Sequence, residues 1–299
     1  MTFPGSGRAL LKAVRDCSLR RIPGLQGLIA AGARSGLLPA ALWQRLHPIG
    51  TWTLHAPDGT PFSYASAPHD GLARHVAWTD MRDWEATTQP LLFRLAKRAA
   101  VFVDIGAYSG LYTILACVAN PALRAVTIEP NPVKLPQLRT NVESNGLRDR
   151  VTIVGTALSA RSGPGTLSIP SDDSRASLGE PGPYDRTIPV TVTTGDQLLA
   201  GLPVDLIKMD VEGAESDVLA GMPRLLTSRR PTIIAECLDR GALARLARTA
   251  AEFGYRHVYH LDDDGPRPVG DGFTPPRRHF NYLVTSDPIT APIVTSAAR

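Results

Sequence analysis

The 299-residue sequence predicts an α/β fold, a mostly parallel sheet of the nucleotide-binding kind preceded by an N-terminal extension. Three observations carry this. The stretch Val101–Thr113 (VFVDIGAYSGLYT) is an apolar run that ends in Asp104, turns through Gly106, Ala107 and Gly110, and enters an apolar helical pattern. A second apolar strand, Ala125 to Ile128, ends in Glu129, where folds of this kind grip the two hydroxyls of a ribose. A third, Val204 to Met209, runs into Asp210, Glu212 and Glu215. The turn glycines are expected to let the backbone approach a ligand, since a Cβ would collide with it.

Between these anchors, strand and helix patterns alternate. They predict strands near 101–104, 125–129 and 151–154, with helices over 110–119 and 132–144. After an insertion come strand 204–209, helix 214–226, strand 232–236 ending in Glu236, helix 241–253, and strands near 256–261 and 280–285. Such a βαβ succession places ligands at the carboxyl ends of the strands. The polar, Pro-rich stretch 262–278 reads as a loop joining the last two strands. Thr166–Ile169 and Ile188–Thr193 read as two strands flanking Pro170–Thr187, a Ser-, Gly-, Pro- and Asp-rich segment that is either a cover over the site or a plain surface loop. Upstream, residues 51 to 66 alternate around Pro57-Asp58-Gly59, a hairpin signal, and Gln89–Lys97 reads as a lead-in helix. The expected division is an extension over 1–98, a catalytic domain over 99–286 and a disordered tail over 287–299.

DIGAYSG, the acid of IEPNP, Asn141, Asn145-Gly146 and above all IKMDVEGAE resemble the FkbM-type S-adenosylmethionine-dependent methyltransferases of class I. The likeness runs from about Trp84 to Thr285. One departure stands out: that family usually has Asn where this chain has Tyr108. The resemblance implies a Rossmann-like, seven-stranded, mostly parallel sheet whose last strand is antiparallel. It implies S-adenosyl-L-methionine as cofactor, with Gly106, Ala107 and Gly110 admitting its methionine and ribose portions. Asp104 would take the amino group directly or through water, Glu129 the ribose hydroxyls, Ala157 the adenine, and Glu85 the amino-acid end. Asp210 and Glu212 would stand beside the transferred methyl group.

An acid at Asp210 can orient the acceptor, take its proton, or bind a metal. Catechol-type relatives hold Mg²⁺ with acids after strands four and five, which here are Asp210 and Glu236. The acid-plus-amide pair usual after strand five is replaced by Glu236-Cys237-Leu238, so Mg²⁺ is possible but not favoured. Lys208 is expected to pair with an acid. His260 and His279 flank the last loop as candidate bases, and Asn281 opens the final strand as a candidate polar contact.

Bulk properties narrow the partners. The net charge of +4 is concentrated in residues 1 to 48, where seven basic side chains face one acid, Asp16; the rest of the chain sums to −2. A catalytic domain that is not basic argues against nucleic acid, as does the missing Asn/Asp-Pro-Pro-Tyr/Phe-type motif that holds a flipped base. Within the basic arm, Leu10, Val14 and Cys17 form one stripe, either packed on its own domain or a contact for a homodimer, a membrane surface or a carrier protein. No apolar run is long enough for a transmembrane helix. Three scattered cysteines without metal spacing point to free thiols and a reducing cytoplasm. The expected activity is O-methylation of a hydroxyl on a small molecule, a natural product or sugar in secondary metabolism. The alternatives are methylation of nitrogen or nucleic acid, or a non-catalytic or dinucleotide-binding protein. The last lacks support, since a dinucleotide site wants G-x-G-x-x-G and this chain offers Gly106-x-x-x-Gly110.

Overall fold

The computed structural model describes residues 24–66, 70–82, 84–170, 175–178, 182, 185–270, 272–276 and 278–289. The basic stripe of Leu10, Val14 and Cys17, and the tail beyond Ile289, lie outside the described residues. The chain divides into two compact units, Met1–His55 with Pro61–Trp84, and Ala56–Thr60 with Glu85–Arg299.

The first unit contains helices α1 (Leu25–Arg34), α2 (Ala40–Trp43) and α3 (Gly71–Thr79) and the strands β1 (Gly50–His55) and β2 (Pro61–Ser66). The strands pair antiparallel with Gly50 opposite Ser66 and His55 opposite Pro61, the hairpin that the alternation predicts. Trp43, Trp78 and Ala30 are buried together, with Trp52 edge-on to Trp78 at 5.1 Å between ring centroids. Asp70 caps α3: its Oδ1 accepts the Ala73 N–H at 3.0 Å, and its Oδ2 accepts the Tyr64 hydroxyl.

The second unit is built on an eight-stranded sheet. Its parallel half comprises β3 (Val101–Ile105), β4 (Arg124–Ile128), β5 (Val151–Val154), β9 (Val204–Met209) and β10 (Thr232–Glu236). The remainder is β11 (His257–Asp262), β12 (Gly265–Pro268) and β13 (Asn281–Thr285). The order is β12-β11-β13-β10-β9-β3-β4-β5. β13 enters between β10 and β11 and runs antiparallel to both. This is the class I methyltransferase arrangement, Rossmann-like with a reversed last strand, carrying one edge strand beyond the expected seven. That strand, β12, falls in the Pro-rich stretch expected to be a loop. Its Pro266 and Pro268 are tolerated because an edge strand need not donate on its open side.

Strand β3 is buried at every residue, as a central parallel strand covered on both faces must be. Helices α4 (Thr88–Ala96), α5 (Leu111–Ala119), α6 (Leu135–Ser144) and α10 (Arg240–Glu252) connect the strands or lead into the first of them. The helix expected over 214–226 is broken into α8 (Glu215–Ala220) and α9 (Pro223–Ser228). Pro223 has no N–H to continue α8, and its ring disfavours a helical residue before it. Cys117 and Cys237 are free and buried, as apolar positions in a helix and at a strand end predict.

The insertion after β5 forms its own three-stranded sheet, in the order β6 (Ala157–Leu158), β8 (Arg186–Thr193) and β7 (Gly163–Ile169). A short helix, α7 (Gly195–Leu198), follows it. The two long strands extend further than their apolar cores suggested, pairing from Gly163–Val192 to Ile169–Arg186. Gly221, between α8 and α9, packs against this insertion: a Cβ there would lie 2.1 Å from the Ser159 carbonyl oxygen. Replacing Gly221 with Ala should therefore destabilise the protein by about 3 kcal/mol, read as a lower urea midpoint at unchanged m-value.

Candidate active site

Strand register brings the predicted acids into one row. Asp104 on β3 lies opposite Lys208 on β9. Ala235 of β10 lies opposite Met209, so the next residues, Glu236 and Asp210, are neighbours, and Glu236 in turn faces Asn281 of β13. Residues two apart on a strand share a face, so Lys208 and Asp210 point the same way. Glu85, just before α4, and Tyr112, in the first turn of α5, join this group: the Tyr112 hydroxyl donates a short hydrogen bond to Glu85 Oε2. Lys208 Nζ lies 5.4 Å from the Tyr112 ring centroid and 4.0 Å from Asp210 Oδ2.

Lys208 is 1% exposed, and its Nζ has no hydrogen-bond partner. Burial alone would pull its pKa down, but the charges of Asp210, Glu85, Glu236 and Asp104 reverse this and raise it. The acids respond in the opposite sense to their own burial. Asp104 is pushed up to about 6 by burial, against the bond its Oδ2 accepts from Thr113 Oγ1 at 2.7 Å. Glu236 is pushed up to about 10 by burial and by the adjacent Asp210 charge, so at neutral pH its carboxyl is protonated and donates to Asp210. Burial also raises Glu85. Asp210 remains the open member of the row, with 36% of its side chain exposed.

The turn after β3 shows a second reason for its glycine. Gly106 has φ +78°, and a Cβ there would sit 1.8 Å from the Asp210 carbonyl oxygen. The demand for glycine at this position comes from the chain's own β9 end, whatever ligand lies beyond. Ala107 is buried, and its N–H, like that of Gly106, donates to the Ile128 carbonyl. Gly110 takes the N-cap position of α5. Glu129 closes the turn from the next strand: its Oε2 accepts the Tyr108 N–H and its Oε1 the Asn131 N–H, both at 2.7 Å. Burial pushes the Glu129 pKa up to about 7, against the pull of those bonds and of Lys134. Ala157 is buried in β6.

The remaining candidates are less concentrated. Glu212 has φ +52°, its side chain is 15% exposed, and its Oε2 lies 3.9 Å from Arg175 Nε. It lines a cavity of 540 Å³ together with Ser159, Arg161, Thr166 and Asp217. His279 makes its contacts elsewhere: Nε2 lies 3.4 Å from Asp263, and its carbonyl meets His260 Nε2 at 2.6 Å. Among the described residues no three His, Cys, Asp or Glu converge as a metal-binding group.

Two contributors were not singled out in the sequence. Tyr112 sits in the first turn of α5, and an aromatic at the start of a helix looks like core. Lys134, five residues after Glu129, sends its Nζ back to the Tyr108 hydroxyl at 2.8 Å. Neither pairing has a sequence spacing that announces it.

The residues fit a ligand with the charges of S-adenosylmethionine. A cationic sulfonium and ammonium suit a row of carboxyls whose one buried cation is outnumbered. The buried Asn281 Oδ1 and Lys208 Nζ, both without hydrogen-bond partners, leave an acceptor and a donor open beside it.

The sequence profile of the Methyltransferase FkbM domain matches residues 104–256, just over half of the chain. No curated protein sequence matches. Among solved structures, methyltransferase FkbM from Methylobacillus flagellatus KT is 17% identical over 74% of this chain and 56% of its own length, with a TM-score of 0.44. Precorrin-6y C5,15-methyltransferase from Geobacter metallireducens GS-15 is 17% identical over 66% and 86%, with a TM-score of 0.40. An O-methyltransferase from Bacillus cereus, in complex with SAH, is 15% identical over 66% and 79%, with a TM-score of 0.36. Superpositions this loose say nothing of individual site residues.

Two stability outcomes follow from the buried charges. Lys208→Met should cost about 3–5 kcal/mol, because it strands carboxylates without their cation, and Glu236→Gln should not rescue it fully. For Glu129 the folded pKa (about 7) exceeds the reference value of 4.5. Between those values the unfolded chain binds fewer protons than the folded one, so stability falls as pH rises from about 4.5 to 7. Glu129→Gln should flatten that part of the stability–pH curve for the ligand-free protein in urea titrations.

Proposed function

The chain belongs to the FkbM methyltransferase family, and from that premise we propose that it methylates a hydroxyl of a small molecule, a natural product or a sugar. The protein is an S-adenosylmethionine-dependent methyltransferase; the nature of the acceptor is the finer reading. The observation that supports it best is Asp210, a carboxylate at the end of β9 with 36% of its side chain exposed, beside the buried Lys208 and Asp104.

The cofactor, when bound, supplies a methyl group on a cationic sulfur. In this reading Glu129 receives the ribose hydroxyls, and Ala157 lies on the adenine side. Glu85 and Asp104 serve the amino-acid end, Asp104 by its charge from behind Thr113. The turn Gly106–Gly110 presents backbone to the methionine portion. Asp210 accepts a hydrogen bond from the acceptor hydroxyl, orients its oxygen, and takes its proton as that oxygen gains a bond. The Glu236 carboxyl steadies Asp210 by donating to it, and Lys208 Nζ stands 4.0 Å from Asp210 Oδ2. Glu212, lining the neighbouring cavity, would meet the acceptor; its polar lining of Ser159, Arg161 and Thr166 suits a hydroxylated molecule. His279, at the last loop, is the second candidate for the proton.

A proton acceptor built from carboxylates has no need of Mg²⁺, and chelator should leave turnover unchanged in this reading. A copy-to-copy contact through the basic arm, and a cytoplasmic setting, remain compatible with it. No helix among the described residues is long and apolar enough to cross a membrane.

Asp210→Asn should reduce kcat by about 10²-fold or more while S-adenosylhomocysteine binding stays within a few-fold, measured by calorimetry. A fully active Asp210→Asn variant would remove it from this role. Because ribose hydroxyls favour the ionised acid, affinity for S-adenosylhomocysteine should be about tenfold weaker at pH 6 than at pH 8. Glu129→Gln should lose both the affinity and its pH dependence.

A further inference from the structure

Tyr108 occupies a conformation that its side chain does not favour. Its φ of +51° lies in the left-handed region, where glycine or asparagine sits with less strain. A bulky residue persists in such a conformation only where surrounding structure holds it, and such residues gather at binding sites.

The surroundings here are explicit. The Tyr108 N–H is spent on Glu129 Oε2, which fixes the Cα beside that acid. The hydroxyl accepts from Lys134 Nζ at 2.8 Å, and the same ammonium lies 4.2 Å from the ring centroid. Lys134 is itself 2% exposed. A buried ammonium thus holds the ring by its hydroxyl and its π face together, and turning the ring away forfeits both contacts. Yet the tyrosine is not closed off: it is half-buried, whereas its neighbours Ala107 and Ser109 are buried. An aromatic ring locked at an acid-lined turn and left partly open presents a flat surface of the kind on which nucleobases stack.

We propose that Tyr108, held by Lys134, is a wall of the nucleoside subsite, a specificity-determining contact to the adenosine half of the cofactor. The proposal rests on the reading of Glu129 as the ribose acid. It assigns the ring a role that an amide or a hydrogen at position 108 could not fill. Lys134 is a positioning residue that acts through the ring.

The test is calorimetric titration of the full chain with S-adenosylhomocysteine and, separately, with adenosine. Wild type, Tyr108→Asn, Tyr108→Phe, Lys134→Met and Glu129→Ala are compared. Asparagine tolerates the left-handed backbone, so Tyr108→Asn should still fold, its relief of backbone strain set against the contacts that Lys134 loses, and yet bind both ligands at least about tenfold more weakly. Tyr108→Phe keeps the face and should stay within about threefold, with Lys134→Met between the two. The near-equal loss for adenosine and S-adenosylhomocysteine separates a nucleoside contact from a general loosening of the site. If Tyr108→Asn binds as tightly as wild type, or more tightly, while Glu129→Ala loses affinity, the wall does not exist and the ribose reading survives. If wild type binds neither ligand, reading and proposal fall together.

Discussion

The ammonium of Lys208, on the central strand β9, lies in the interior, and the polar edge of the sheet is arranged around it. Taking such a charge out of water costs several kcal/mol, and opposite charges at close quarters must offset it. Here Asp104, Asp210, Glu236 and Glu85, on four separate segments of chain, all act to raise the lysine pKa. Because carboxyls outnumber ammoniums, not all can ionise, and the burden falls unevenly. Burial raises the pKa of Glu236, with the adjacent Asp210 charge adding to it, and raises that of Asp104 to about 6.

The parallel core was legible because its signals are local. A strand buried on both faces is apolar throughout, and an acid at its end marks the ligand edge, so β3, β4 and β9 could be placed from the sequence. The reversed β13 was expected only through resemblance; nothing in its five residues states a direction. β12 escaped notice because proline argues against a strand except at an edge, and edges are decided by tertiary neighbours. The break between α8 and α9 was visible in principle at Pro223, but the apolar period on either side masked it.

The site was legible to the level of single residues and not of pairs. Asp104, Glu129 and Asp210 could each be placed at a strand end from the sequence, as candidates. That Glu236 would bond to Asp210, that Tyr112 would bond to Glu85, and that Lys134 would reach Tyr108 all depend on which strands adjoin and how helices sit over them. Gly106 is instructive in another way. Its need for a missing side chain was ascribed to a ligand, whereas the Asp210 carbonyl already forbids a Cβ. A motif glycine can thus mark where the protein approaches itself, and an identical motif says nothing certain of what lies beyond it.

The small sheet β6-β8-β7 satisfies its ladder within itself and shares no strand with the main sheet. Lengthening the segment that joins β7 to β8 therefore breaks no hydrogen bond of the cofactor-bearing core, and each doubling of such a loop costs only about 0.6 kcal/mol in closure entropy. The architecture separates what must be inherited unchanged from what is free to drift. Change confined to the β7–β8 connection leaves the buried row of acids, and the stability it governs, untouched.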